Sequence, residues 1–135
     1  MAYWLLKTES ASYSFDDLIA DGETQWDGVT NNWALKFMRD VKKDDQALIY
    51  HSGKQKSIVG IARITSDPYP DPQSNNPAHV VFNLRAEKRL NGNVTLKRLK
   101  DNSAFTTFLL VKHTRLSVMP VEKQIWRLIL EMDAA

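Results

Sequence analysis

The amino-acid sequence predicts a mixed α/β (α+β) fold, a small curved β-barrel of about five or six strands decorated by short helices. Two observations lead there. Short β-rich segments are interleaved along the chain with isolated, equally short helical stripes. The 135 residues, 43% hydrophobic and 25% charged, suit one core, and no repeat, linker or low-complexity tract divides the expected single domain, residues 1–135.

Residues 3–7 (Tyr-Trp-Leu-Leu-Lys) read as a buried first strand. Ser14 followed by Phe15, Asp16 and Asp17 supplies a cap and two acids before Leu18 and Ile19, which marks a helix start. Residues 32–41 carry Trp33, Ala34, Phe37, Met38 and Val41 on one helical stripe that Asn31 or Asn32 can cap. After the polar turn 42–45, residues 46–51 form a strand, and the β-branched run 57–65 is its hairpin partner across the basic turn 52–56. Pro68, Pro70, Pro72 and Pro77 make 66–77 a long loop that excludes a regular element. Residues 79–90 alternate as a strand, Asn91-Gly92-Asn93 is a turn, and Thr95 starts a short helix through Lys100. A short strand at 114–118 and a helix over 120–132, burying Val121, Ile125, Trp126, Leu128 and Ile129, complete the chain.

Several function classes drop out. The chain has no cysteine, which removes disulfides, thiolate zinc and thiol catalysis and fits a reducing compartment. No apolar run reaches the roughly 18 residues of a membrane span, and residues 1–7 read as a strand rather than a signal peptide, so a cytoplasmic location, or a nuclear one in a eukaryote, is expected. His51, His79 and His113 are scattered singly, without the spacing that sets two imidazoles on one helix face, so no metal is expected. The five glycines, at 22, 28, 53, 60 and 92, are too isolated for a phosphate loop or dinucleotide fingerprint, and no cofactor is expected. His51-Ser52 with Asp27 or Asp71 invites a hydrolase reading, but neighbours on a strand point to opposite faces and no glycine elbow surrounds Ser52.

Net charge is only +2, yet Arg85, Lys88, Arg89, Lys97, Arg98 and Lys100 face a single acid, Glu87, across 85–100. That stretch is either a phosphate-binding surface or a solvated hairpin or helix face. Trp4, Trp33 and Trp126 sit in apolar-periodic settings that read as core. Trp26 follows the polar run 21–25 and precedes Asp27-Gly28, so no regular element claims it, and it reads as a ligand platform or as core.

Residues 3–9, Tyr13-Ser14, 26–31 (Trp-Asp-Gly-Val-Thr-Asn), 50–52 (Tyr-His-Ser), 59–62, 69–71 (Tyr-Pro-Asp) and 115–121 together resemble the EVE domain family, in order and with fitting spacings over nearly the whole chain. The resemblance implies a fold similar to the PUA barrel, kinship with the YTH domains that read methylated adenine, and recognition in an aromatic pocket of a modified base in DNA or RNA, such as methylated or hydroxymethylated cytosine or methylated adenine. It implies Trp26 as the stacking wall, with Lys7, Thr8 and Glu9 beside it and Asp27 and Asn31 on the base edge or holding the turn. Tyr50, His51 and Ser52 would lie near the opening, Tyr69, Pro70 and Asp71 at its rim, and Arg115 on a backbone phosphate. The local basic charge, apart from the resemblance, offers Arg85, Lys88 and Arg89 as further phosphate contacts.

The chain departs from the family pattern at Ser10, usually Pro; at Thr30, usually Arg; and at 77–83, where a Tyr-Asp-Pro-Lys pattern is absent. Phe82 then stands as a candidate second wall, with a core strand position as its other reading. On this reading the partner is nucleic acid, no membrane is involved, the chain is taken as a monomer, no catalytic step is needed, and Trp26→Ala spares the fold. An enzyme acting on a nucleotide or small molecule and a protein-interaction scaffold remain the alternatives.

Overall fold

The computed structural model describes residues 1–135. In chain order the elements are β1 (Tyr3–Glu9), α1 (Phe15–Asp21), β2 (Glu23–Trp26), α2 (Asn32–Asp40), β3 (Gln46–Ser52), β4 (Ser57–Ile64), β5 (Tyr69–Pro70) and β6 (Val80–Arg89). Then come α3 (Leu96–Lys100), a 3-10 turn (Ser103–Phe105), α4 (Leu109–Lys112), β7 (Val118–Pro120) and α5 (Lys123–Ala134). The main strands run in the order β2-β6-β4-β3-β1-β7, with β5 paired to β6, and the sheet curls into a half-barrel. Only β1 and β3 run parallel. No helix is long and apolar enough to cross a membrane.

Local chemistry accounts for much of this. The central strands β3 and β4 are buried along nearly all of their length and are correspondingly continuous in apolar residues, as strands covered on both faces must be. Ser14 and Asp17 form a reciprocal capping box on α1, and the Asn31 side chain accepts from Ala34 N to start α2. The Phe15 ring packs directly on β4 at Gly60, where a Cβ would overlap the ring, so only glycine fits there. Two buried carboxylates pin the ends of the fold. Asp45 accepts from Trp4 Nε1 (2.9 Å), Ala2 N (3.0 Å) and Lys42 N (3.0 Å), and Asp133 accepts from the turn nitrogens of Asn91 (2.9 Å) and Asn93 (3.1 Å).

The structure corrects the sequence reading at several points. Residues 23–26 form a strand that their polar composition hides, because pairing with β6 satisfies their backbone whatever the side chains. Trp33 is not core: it is 41% exposed, whereas Trp4, Trp26 and Trp126 are buried. The loop 66–77 holds the two-residue β5, where Pro70 is tolerated because so short an edge strand needs few donors. The final strand starts at Val118, with residues 114–117 preceding it, and α5 begins at Lys123.

Candidate functional site

In the strand order β2 ends one side of the sheet and β1 lies next to the other end, so the half-barrel leaves an open seam between them. A cavity of about 690 Å³ fills this seam. Its walls are Lys7, Thr8 and Glu9 at the end of β1, Ser12 and Tyr13 ahead of α1, Thr24, Gln25 and Trp26 on β2, the segment 27–31, and Ser117. Gly28, at φ +78°, turns the chain after Trp26-Asp27 and returns Asn31 to the start of α2.

Two aromatic rings meet here at a right angle. The Trp26 and Tyr13 centroids lie 6.4 Å apart with an interplanar angle of 80°. A flat ring stacked on one would present its edge to the face of the other. The Tyr13 hydroxyl donates to Asp21 Oδ2 at 2.6 Å, and burial together with that carboxylate raises its pKa, so the phenol stays protonated and fixed. Trp26 is only 7% exposed and belongs to the core cluster as well as to the cavity wall. Phe82 does not reach the cavity: it pairs with Trp26 in the β2–β6 register and is fully buried.

Several polar groups are already committed, which shows what remains for a ligand. Thr8 Oγ1 donates to Tyr13 O (2.7 Å). Asn31 Oδ1 is taken by Ala34 N (3.0 Å), leaving its two N–H donors free. Gln25 Nε2 donates to the Tyr69 hydroxyl (2.9 Å), which donates in turn to Asn83 Oδ1 (2.6 Å), leaving Gln25 Oε1 as an acceptor. The carboxylates of Glu9 and Asp27 accept no hydrogen bond from the protein. Half-buried Lys7 donates from Nζ to Thr114 O (2.8 Å), and burial lowers its pKa.

The other sequence-predicted residues divide around this cavity. Tyr50, His51 and Ser52 lie one strand away, in register with Lys7, Thr8 and Glu9. Tyr50 and Ser52 line a neighbouring depression of about 270 Å³ with Lys7, Lys56, Lys100 and Thr114. The Tyr50 ring is buried beneath Lys7 Nζ, 5.9 Å from its centroid, and burial pushes its phenol pKa up. His51 is buried and joins neither depression: its Nε2 accepts from Phe15 N (3.0 Å), which places the ring proton on Nδ1, donated to Gln55 Oε1 (2.8 Å). With both nitrogens occupied, the imidazole has none free to serve Ser52 as a base, and no triad forms. His51→Ala is expected to lower stability by about 1–3 kcal/mol by orphaning the Phe15 N–H, read as a shifted urea midpoint.

Tyr69 supports Gln25 from behind, while Pro70 and Asp71 lie outside the cavity, Asp71 Oδ1 accepting from Gln73 N (2.9 Å) in its own turn. Three of the six bases in the stretch 85–100 have partners within the protein. Arg89 is ion-paired with Asp16 and lies over the Phe15 ring, Lys97 pairs with Asp101 (2.8 Å), and Arg98 donates to Asn93 O (2.6 Å). Arg85 and Lys88 are exposed on β6 outside the cavity, and of the six bases Lys100 alone joins the depression beside Lys7. Arg115 borders a third depression, of about 300 Å³, with Asn31, Trp33, Lys112 and His113. Tyr13, Thr24, Gln25 and Ser117 are wall residues that the sequence reading did not single out as site residues. Tyr13 had a signal, its place immediately before the Ser14 cap.

The profile of the EVE domain matches residues 2–132. Rat thymocyte nuclear protein 1 is 30% identical over 98% of this chain and 74% of its own length. The solution structure of Rpa0253 from Rhodopseudomonas palustris superposes with a TM-score of 0.93 at 38% identity, covering 99% of this chain and 94% of that one. Human THYN1 protein, crystallised in complex with DNA containing 5-methylcytosine, superposes at 0.90 with 24% identity, over 100% of this chain and 99% of that one, a likeness of fold. The family match over residues 2–132, together with relatives that follow the chain nearly from end to end, makes this chain a member of the EVE domain family.

Proposed function

We propose that this chain binds nucleic acid by taking one modified base into the seam cavity. The observation that carries the reading is the Trp26–Tyr13 corner, with the unengaged carboxylates of Glu9 and Asp27 lining the same cavity. A base slides against one ring and abuts the other. Carboxylates accept from exocyclic amines, and the free Asn31 amide donates to a ring nitrogen or carbonyl, a pattern that suits the amine-bearing bases cytosine and adenine. The human relative's complex with 5-methylcytosine DNA supports the same class of ligand. No catalytic step is part of this reading.

Removing a base from a duplex costs a few kcal/mol, and one aromatic stack returns about 1–3 kcal/mol. Phosphate contacts must supply the remainder. Lys7 and the exposed cations Lys56, Lys100, Lys112 and Arg115 in the flanking depressions are placed to do so. Binding is therefore expected to be modest and to weaken steeply with salt.

The test is a fluorescence titration with short single-stranded oligonucleotides carrying one modified base or its plain counterpart. Wild type is expected to prefer a modified base, and Tyr13→Ala to weaken that complex about 5- to 100-fold. No response to any oligonucleotide at low salt, or a salt-independent one, would overturn the reading.

A further inference from the structure

We infer that Trp33 is a second stacking platform, for the nucleobase that flanks the one in the seam cavity, with Arg115 and Lys112 on the phosphate between them. This inference rests on the proposed reading and extends it from one base to a dinucleotide. Trp33 stands in the first turn of α2, whose buried side is Ala34, Leu35 and Met38, and it is the most exposed tryptophan of the chain at 41%. Leaving so large an apolar ring in water forgoes burial that a neighbouring core would otherwise supply.

The ring is nonetheless held. His113 meets it edge-on, with centroids 4.8 Å apart at 80°, and Phe37 braces it at 5.9 Å and 39°. A platform fixed before binding loses little entropy when a base lands on it. Asn31 lines both the seam cavity and the depression that holds Trp33, so the two rings serve contiguous spaces. Arg115 and Lys112 border that depression, and neither side chain makes an ion pair or hydrogen bond within the protein. An aromatic face beside two unpaired cations is complementary to a base attached to a phosphodiester, whereas an apolar protein segment would leave both cations desolvated without partners. Because every base has a π-face, this platform tolerates any flanking sequence.

The probe is a single-stranded trinucleotide with 5-methylcytosine at its centre and 2-aminopurine on the 5′ or the 3′ side. In wild type, one of the two positions is expected to show 2-aminopurine quenching. Trp33→Ala is expected to abolish that quenching and weaken the trinucleotide about 5- to 100-fold, while Trp33→Phe keeps most of the affinity. Preference for the methylated over the plain centre is expected to persist in Trp33→Ala. Unchanged trinucleotide affinity in Trp33→Ala, with the wild-type preference for methylcytosine intact, would overturn this inference and leave the seam reading standing. Sedimentation that shows Trp33 holding two copies of the chain together would overturn it in the same way. Wild type that binds neither methylated nor plain trinucleotide removes both.

Discussion

Trp26→Ala is expected to lower the stability of the fold by about 3–5 kcal/mol, not merely to empty a binding site. The indole lines the cavity on one side and belongs to the continuous core on the other, and its strand ends the sheet opposite fully buried Phe82. Truncation opens a void that the half-barrel cannot close, since β2 is held along its length by pairing with β6. Urea unfolding followed by far-UV circular dichroism reads this directly. A midpoint within a few tenths molar of wild type would show that Trp26 is carried on a locally independent turn, as its sequence neighbourhood suggests. Trp26→Phe retains a ring and most of the packing, so its binding loss reports on the ligand rather than on the fold. Tyr13, only partly buried ahead of α1, separates the two effects more cleanly still.

The second large effect is expected far from the cavity. Asp45→Ala leaves the Trp4 indole N–H and the backbone nitrogens of Ala2 and Lys42 without their acceptor. Hydrogen bonds to a charged group contribute about 1.5–3 kcal/mol each, and a buried donor left unpaired costs about 1–3 kcal/mol. A loss of about 3–5 kcal/mol is expected, the outer donors being partly rescued by water. Asp45→Asn keeps one oxygen and is expected to lose roughly half as much. Denaturant midpoints of the two variants check the ordering, and equal losses would mean that the negative charge, rather than the number of acceptors, is what matters.

These two residues show how differently parts of the fold were legible. Ser14 with Asp16 and Asp17 announced the start of α1, and Asn31 or Asn32 the start of α2, with Asn31 the cap in the structure, because a cap acts on backbone donors two or three residues away. The β-branched run 57–65 after the apolar 46–51 identified β3 and β4 as a hairpin pair, and the structure shows both buried along nearly all of their length. By contrast β2 was invisible. Its residues are polar, and the strand exists because β6, far along the chain, offers a partner ladder. Trp33 was misread for the complementary reason. Its position on a helical stripe was seen, but how wide a stripe α2 buries is decided by what packs against it.

The candidate site divides along the same line. The Trp-Asp-Gly turn, the end of β1 and the family pattern are local strings, and they located Trp26, Asp27, Asn31, Lys7, Thr8 and Glu9, all of which line one cavity. Phe82, the candidate second wall, lies outside that cavity, and His51, expected near its opening, is buried one strand away, because adjacency along a strand does not specify a face or an edge.

By itself, then, the sequence determined the capped helices, the central hairpin, the turn after Trp26 and membership of a family. Only the tertiary structure decided that Tyr13 meets Trp26 at a right angle, that His51 pins α1 to β3, and that Trp33 faces solvent beside Arg115. Capping, turn chemistry and hydrophobic period act over a few residues, whereas a cavity at the seam of a curled sheet is made by strand pairings between distant segments, which no local pattern names.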